Sequence, residues 1–174
     1  GDPLVRSMIS QITDLTNEAI VGFGPNEVYL ANYGIMTNRD GSLSLNSTTF
    51  TEQYEVDPDS FNAILNSRVS TDSSMVSGTV AGASYVPGNY SFTISGNTAT
   101  IDSNAMTFAD ARYSISTGNT SGLTLTVDGS GADTTVRLGR SLLEKLESFA
   151  TTNLAFGNDI DDRTLDAFDG HFAC

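Results

Sequence analysis

The sequence predicts an α+β protein in which a unit of helices and a β-hairpin is interrupted by an inserted antiparallel β-sandwich or barrel-like module. Three observations predict it. Apolar residues recur every three or four positions near both ends, at Leu4, Met8, Ile12 and Leu15 and again from Leu142 to Leu154, which is the period of an amphipathic helix. Asn38-Arg39-Asp40-Gly41 lies between two alternating segments, where glycine supplies the positive φ of a tight turn. From Val76 to Leu138 the chain breaks into short alternating runs separated by Gly, Asn, Asp or Ser clusters, the texture of an all-β unit. The expected division is therefore 1–67 for helix, hairpin and short helices, 76–138 for the β-rich insertion, and 139–174 for returning helices that pack on the first unit.

Asp2-Pro3 opens the first helix, with Asp as cap and Pro at the first position. Gly22, Gly24 and Pro25 then break it, so the helix is expected to fray by Ile20 or Val21. Phe23 in the following loop reads as a packing plug. Ile35 and Thr37 alternate up to the turn, and Leu43 and Leu45 alternate after it. Asn46, Ser47 or Thr48 can cap a helix carrying Phe50 and Tyr54, four residues apart and so on one face. Asp57-Pro58 starts a second short helix with Phe61, Ile64 and Leu65 as its apolar face.

Gly34-Ile35-x-Thr37-x-Arg39-Asp40-Gly41-x-Leu43-x-Leu45, followed by Asp57-Pro58 and an apolar helix, resembles a segment of the flagellar filament-capping proteins, the hook-associated protein 2 family. The opening Gly1-Asp2-x-Leu4-Val5-Arg6-Ser7 before an amphipathic helix is similar to what precedes that segment in the family, so the resemblance spans residues 1–67. Gly88-Asn89-Tyr90-Ser91-Phe92-Thr93-Ile94 also resembles the Gly-x-Tyr-x-Phe/Val-x-Ile runs of flagellin-type inserted β domains. The tail departs from the family pattern, lacking its long helix, as a fragment would. The resemblance implies a non-enzymatic structural subunit, extracellular and part of the bacterial flagellum. It also implies self-association through the full-length protein at the filament tip and promotion of flagellin polymerisation. The alternative is a β-rich cell-surface adhesin or binding module.

Residues 66–77, NSRVSTDSSMVS, carry neither period and read as a link between the units. In the insertion, Ser95-Gly96-Asn97 is a hairpin turn between the first two alternating runs, and Asp128-Gly129-Ser130-Gly131 one between the last two. About six or seven strands are expected from that spacing. Beyond it, Ser141-x-x-Glu144 has capping-box spacing before a wide apolar face at Leu142, Leu143, Leu146, Phe149, Ala150 and Leu154. Gly157 would end that helix, and Asp161 or Asp162 would cap a last one carrying Leu165, Phe168 and Phe172. The stripe of the first helix is an available partner for it.

With 174 residues, the chain can bury about two-thirds of its unfolded surface. A net charge of −13 with Lys145 as the single lysine excludes nucleic acid and anionic membrane surfaces as natural partners. No run of about 18 apolar residues exists for membrane insertion, and residues 1–20 lack the pattern of a signal peptide. Cys174 is the sole cysteine, so no intrachain disulfide or thiolate metal site can form.

Chemistry is sparse. His171 is the only histidine and stands three residues from Cys174, a poorly held base for a nucleophile. Oxygen ligands crowd only at Asn158–Asp162 and at Asp128–Asp133. Ile160 interrupts the first run, and a single copy of the second cannot stack as calcium repeats do. Asp57/Asp59 and Glu144/Glu147 are explained by caps and solvated helix faces rather than by glycosidase chemistry. Asn46-x-Thr48, Asn89-x-Ser91 and Asn119-x-Ser121 match the glycosylation pattern at a frequency this Ser/Thr/Asn-rich chain produces by chance. No catalytic residue, cofactor or metal is expected. Tyr85, Tyr90 and Tyr113 are the candidate protein contacts, since tyrosine combines an apolar face with a polar tip. Tyr90 and Tyr113 share their strands' alternation with Phe92 and Ile115, which favours core packing; Tyr85, ahead of Pro87-Gly88, is expected to be exposed.

Overall fold

The structure is a computed structural model that describes residues 3–129 and 133–152. The expectations at Leu154, Gly157, Asn158–Asp162, Leu165, Phe168, Phe172, His171 and Cys174 lie outside those residues. Helix α1 covers Pro3–Asn17. It ends at Asn17, three residues before the fraying point expected, because the chain turns into a loop closed by paired Ile20 and Val28, whose amides and carbonyls bond reciprocally at 2.7 and 3.0 Å. A single 3-10 turn, Leu30–Tyr33, buries Leu30 and Tyr33 and stops at Gly34, whose φ of 74° is left-handed. The hairpin follows as β1, Ile35–Thr37, and β2, Leu43–Leu45, in antiparallel register with Met36 opposite Ser44. Helix α2, Ser47–Val56, is capped by the Asn46 side chain, which accepts from the amides of Thr48 and Thr49. Asp57 caps the 3-10 turn Pro58–Phe61 in the same way through the Ser60 amide, and the short α3, Asn62–Leu65, follows.

The link expected at 66–77 is corrected: Arg68–Thr71 forms strand β3, paired with the last strand of the insertion. Its side chains are all half-buried, so its Ser/Thr content concealed a strand that lies at a sheet edge. The remaining strands are β4, Val76–Val80; β5, Gly88–Ser95; β6, Thr98–Ile101; β7, Asn104–Ala105; β8, Thr107–Ala109; β9, Arg112–Ser114; β10, Leu123–Val127; and β11, Thr134–Gly139. They build a five-stranded sheet ordered β3-β11-β5-β6-β7 and a four-stranded sheet ordered β4-β10-β9-β8. Every pairing is antiparallel. The fold is α+β, with more strands than the sequence spacing suggested. Ser95-Gly96-Asn97 does turn β5 into β6. The Asp128-Gly129 turn does not make a hairpin, since β10 and β11 lie in different sheets and the chain crosses between them there. Turn residues signal a reversal but do not choose the pairing partner.

Two further hairpins use turns without glycine. Asp102-Ser103 joins β6 to β7 and Asp110-Ala111 joins β8 to β9, with all four residues at positive φ, the sign pattern of a two-residue type I′ turn.

Between the sheets lie Phe92, Ile101, Leu123, Leu125, Val136 and Leu138, each at 0 % exposure, with Tyr90, Ala99, Met106, Tyr113 and Ile115 around them. Each fully buried large apolar side chain contributes about 1.5–3 kcal/mol. Gly78 of β4 lies opposite Leu125 of β10 in the four-stranded sheet, where a Cβ would meet the Leu125 side chain at 2.5 Å and, from the facing sheet, Val69 at 3.5 Å. A second core joins the segments on either side of the insertion. Ile20, Leu30 and Ala63 meet Leu142, flanked by Phe23, Val28, Ile35, Ile64 and Leu146. Leu142 and Leu146 belong to helix α4, described over residues 142–152.

The two cores touch where Gly22 passes β11. A Cβ on Gly22 would overlap the Leu138 carbonyl, and its φ is +83°. One on Gly139 would meet the Phe23 ring at 2.6 Å. Gly22→Ala is therefore expected to lower stability by at least the about 1–2 kcal/mol of a left-handed non-glycine residue, read as a reduced urea midpoint at unchanged slope. An unchanged midpoint would show that the close approach is not needed.

Candidate functional site

The described residues form two groups of functional interest: the joint between helical base and β module, and the exposed face of the hairpin unit. At the joint the Ser67 hydroxyl accepts from the Ser141 amide at 2.9 Å and donates to the Glu144 carboxylate. Ser141 Oγ accepts from the Glu144 amide at 3.2 Å, so half of the expected capping box forms. The other half is diverted, because the Glu144 carboxylate turns to Ser67 and to Arg140 Nε, 3.4 Å away. The Arg140 guanidinium also donates to the carbonyls of Ala83 and Tyr85 at 2.8 and 2.7 Å and lies 4.4 Å above the Tyr85 ring. Arg68 donates to the Phe23 carbonyl at 3.3 Å, and Asn89 donates to that of Gly24 at 3.1 Å. Lys145 pairs with Glu18 at 2.9 Å, tying α4 to the segment after α1.

This arrangement corrects the expectation for Tyr85. It is 3 % exposed, donates to the Gly139 carbonyl at 3.4 Å and is covered by Arg140. The loop carrying it folds inward because Arg140 satisfies its carbonyls. Tyr90 and Tyr113 are also buried. Tyr90 donates to the Val86 carbonyl at 2.7 Å and Tyr113 to that of Gly96 at 3.1 Å, with Phe92 and Phe108 edging the Tyr113 ring. Each tyrosine tip thus meets a carbonyl of its own chain, and all three rings pack in the sandwich core rather than presenting themselves to a partner.

Carboxylates have structural work as well. Asp133 accepts from the Ile94 amide at 2.9 Å, which places it at a sheet end. Asp72 receives both guanidinium nitrogens of Arg137 at 2.5 and 2.8 Å, and this holds its carboxyl below the usual carboxylate range. Asp40 is lowered too, by the Ser42 hydroxyl and amide that it accepts in the hairpin turn. Burial raises the Tyr33 hydroxyl, which donates to the Ser60 carbonyl at 2.9 Å. Among the described residues no group of three or more His, Cys, Asp or Glu side chains is placed to hold a metal ion. No described helix is long and apolar enough to cross a membrane.

The hairpin unit is organised by Phe61. Its ring packs against Tyr33, Phe50 and Tyr54, with centroids 4.7, 4.9 and 5.5 Å away. The sequence placed Phe50 and Tyr54 on one face; the structure supplies their common neighbour. Outside this cluster the unit exposes Met36, Leu43, Leu45, Val56 and Leu65, each more than half accessible, and Tyr54 within it is also half exposed. Of the apolar face Phe61, Ile64 and Leu65, Leu65 is exposed, because α3 is a single turn from which Ala63 and Ile64 reach the core. The exposure of Leu43 and Leu45 was not foreseen, since alternation marks an apolar face without saying whether anything covers it.

Comparison with protein-family models, with curated proteins and with solved structures finds no match for this chain.

The Asp72–Arg137 pair generates a pH prediction. A carboxylate whose folded value is lowered contributes fully above its unfolded value of about 3.9 and loses that contribution as pH falls through the lowered folded value. Asp72→Asn is expected to lower the urea midpoint at pH 7, with the deficit shrinking once the wild-type carboxylate is protonated at low pH. An equal deficit at both ends would refute the pairing.

Proposed function

We propose that this chain is a structural part of a bacterial flagellar filament cap. The base formed by the hairpin unit and α4 would take part in assembly, and the β module would project from it. In this reading the whole protein is extracellular, associates with itself at the filament tip, promotes polymerisation of flagellin, and carries out no catalysis. The observation that carries the reading is the segment Gly34-Ile35-x-Thr37-x-Arg39-Asp40-Gly41-x-Leu43-x-Leu45 with Asp57-Pro58 after it. Two features support it. Polar side chains at the joint are consumed in holding two units together, and the hairpin unit exposes apolar side chains of the kind an assembling subunit covers.

The alternative, a cell-surface adhesin, draws on the closed core of the β module. The three tyrosines that would have served recognition are buried, which leaves it without a named contact.

Deleting the gene in its native host separates the two. The filament-cap reading expects flagellin released unpolymerised into the medium and filaments restored by the full-length gene. Filaments of normal length with a loss of surface attachment would favour the adhesin and overturn the cap.

A further inference from the structure

The outer edge of β2 is an unpaired strand edge with an apolar flank. In the β1–β2 ladder the Asn38 amide bonds to the Ser42 carbonyl and the Asn46 amide to the Gly34 carbonyl, both at 2.8 Å, and Met36 stands opposite Ser44. Antiparallel bonding alternates, so Ser42, Ser44 and Asn46 turn their backbone groups toward β1 while Leu43 and Leu45 turn theirs away from it. No described residue meets those amides and carbonyls. The Leu43 and Leu45 side chains share a face with their register partners Thr37 and Ile35, and the Thr37 hydroxyl bonds to Thr16 of α1 at 2.9 Å. Both leucines are exposed, at 54 % and 59 %, and Val5 and Ile9, one turn apart on α1, are exposed at 50 % and 40 %.

We propose that this edge pairs with the same edge of a second copy of the chain, β2 against β2 about a two-fold axis through Ser44. The register is self-complementary. Antiparallel pairing centred on Ser44 sets Leu43 of each copy opposite Leu45 of the other as hydrogen-bonded pairs, and merges four leucines into one apolar face. Charge agrees with the geometry. Leu43–Asn46 is uncharged in a chain of net charge −13, and Arg39 at the turn has no ion-pair partner among the described residues, Asp40 being occupied by Ser42. Reversal of the second strand brings each Arg39 turn toward the other copy's α2, which carries Glu52 and Glu55 and no basic residue. Three strand residues and two leucine side chains per copy make a small contact beside the about 1,200–2,000 Å² of standard interfaces. The pair is accordingly weak and is best trapped covalently. It goes beyond the filament-cap reading and stands without it.

At the two-fold centre the Ser44 residues form a non-hydrogen-bonded pair, with Cα atoms about 4.5 Å apart, inside the range a disulfide bridges. The test is Ser44→Cys in the full chain carrying Cys174→Ser, oxidised mildly and read as disulfide-linked dimer on a non-reducing gel. Ser95→Cys, exposed on the β module, serves as the control. A Ser44→Cys dimer that exceeds the control and falls at least about tenfold on adding Leu45→Glu, a loss worth about 1.4 kcal/mol, supports the pairing. Unchanged thermal unfolding of the exposed-site variants establishes that they fold. No dimer, equal dimer in the control, or a dimer indifferent to Leu45→Glu overturns it, and none of these results bears on the filament phenotype.

Discussion

The rest of the structure depends on a two-stranded neck. The chain leaves the helical base along β3 and returns along β11, and the two strands pair over their length, Arg68 opposite Gly139 and Thr71 opposite Val136. An excursion of about 70 residues thus begins and ends at neighbouring backbone positions. The entropy of closing so long a loop rises only as the logarithm of its length, so the insertion costs the base little once the neck forms. The neck ladder offsets that cost with backbone hydrogen bonds, and Ser67, Arg140, Ser141 and Glu144 close the point where it meets α4.

Two cores meet at this neck, and glycine governs how closely. Gly22 and Gly139 let the loop after α1 lie against the end of β11 with no side chain between the backbones. Phe23 fills the space beside them, packed on the base core with the Arg68 guanidinium 5.7 Å from its ring centroid. The same few residues therefore belong to the packing of both units, and a change in one is felt in the other. Tyr85 shows the consequence on the module side. Its loop is pulled in by Arg140, which is itself oriented by Glu144 on α4.

Much of the base was legible in its residues because its signals are local. The Asp40-Gly41 turn, the Asn46 and Asp57 caps and the Phe50/Tyr54 spacing each act within a few positions, and each appears as the sequence implies. The module was legible as a class but not in its pairing. Residues 68–71 read as a polar link because an edge strand with half-buried side chains carries little apolar signal. The turns at Asp102-Ser103 and Asp110-Ala111 lack the glycine that would have announced them. Whether Asp128-Gly129 closes a hairpin or crosses between sheets depends on β3 and β5 occupying the sides of β11, which only the tertiary structure contains. Of the candidate site, the tyrosines were found by residue type, and their burial depended on carbonyls and an arginine distant in sequence. The exposed leucines were found by alternation, and their accessibility depended on what does not pack against them.

The β3–β11 neck joins base and module into one cooperative structure. Native-state hydrogen exchange tests it most directly through the amides of Ser70 and Arg137, which stand opposite one another in the neck. If the neck is as described, both exchange as slowly as amides in the β5 and β10 core strands, with the denaturant dependence of global unfolding. Rapid, denaturant-independent exchange at Ser70 beside a protected β5 would show residues 68–71 to be a loose link, and would contradict the account.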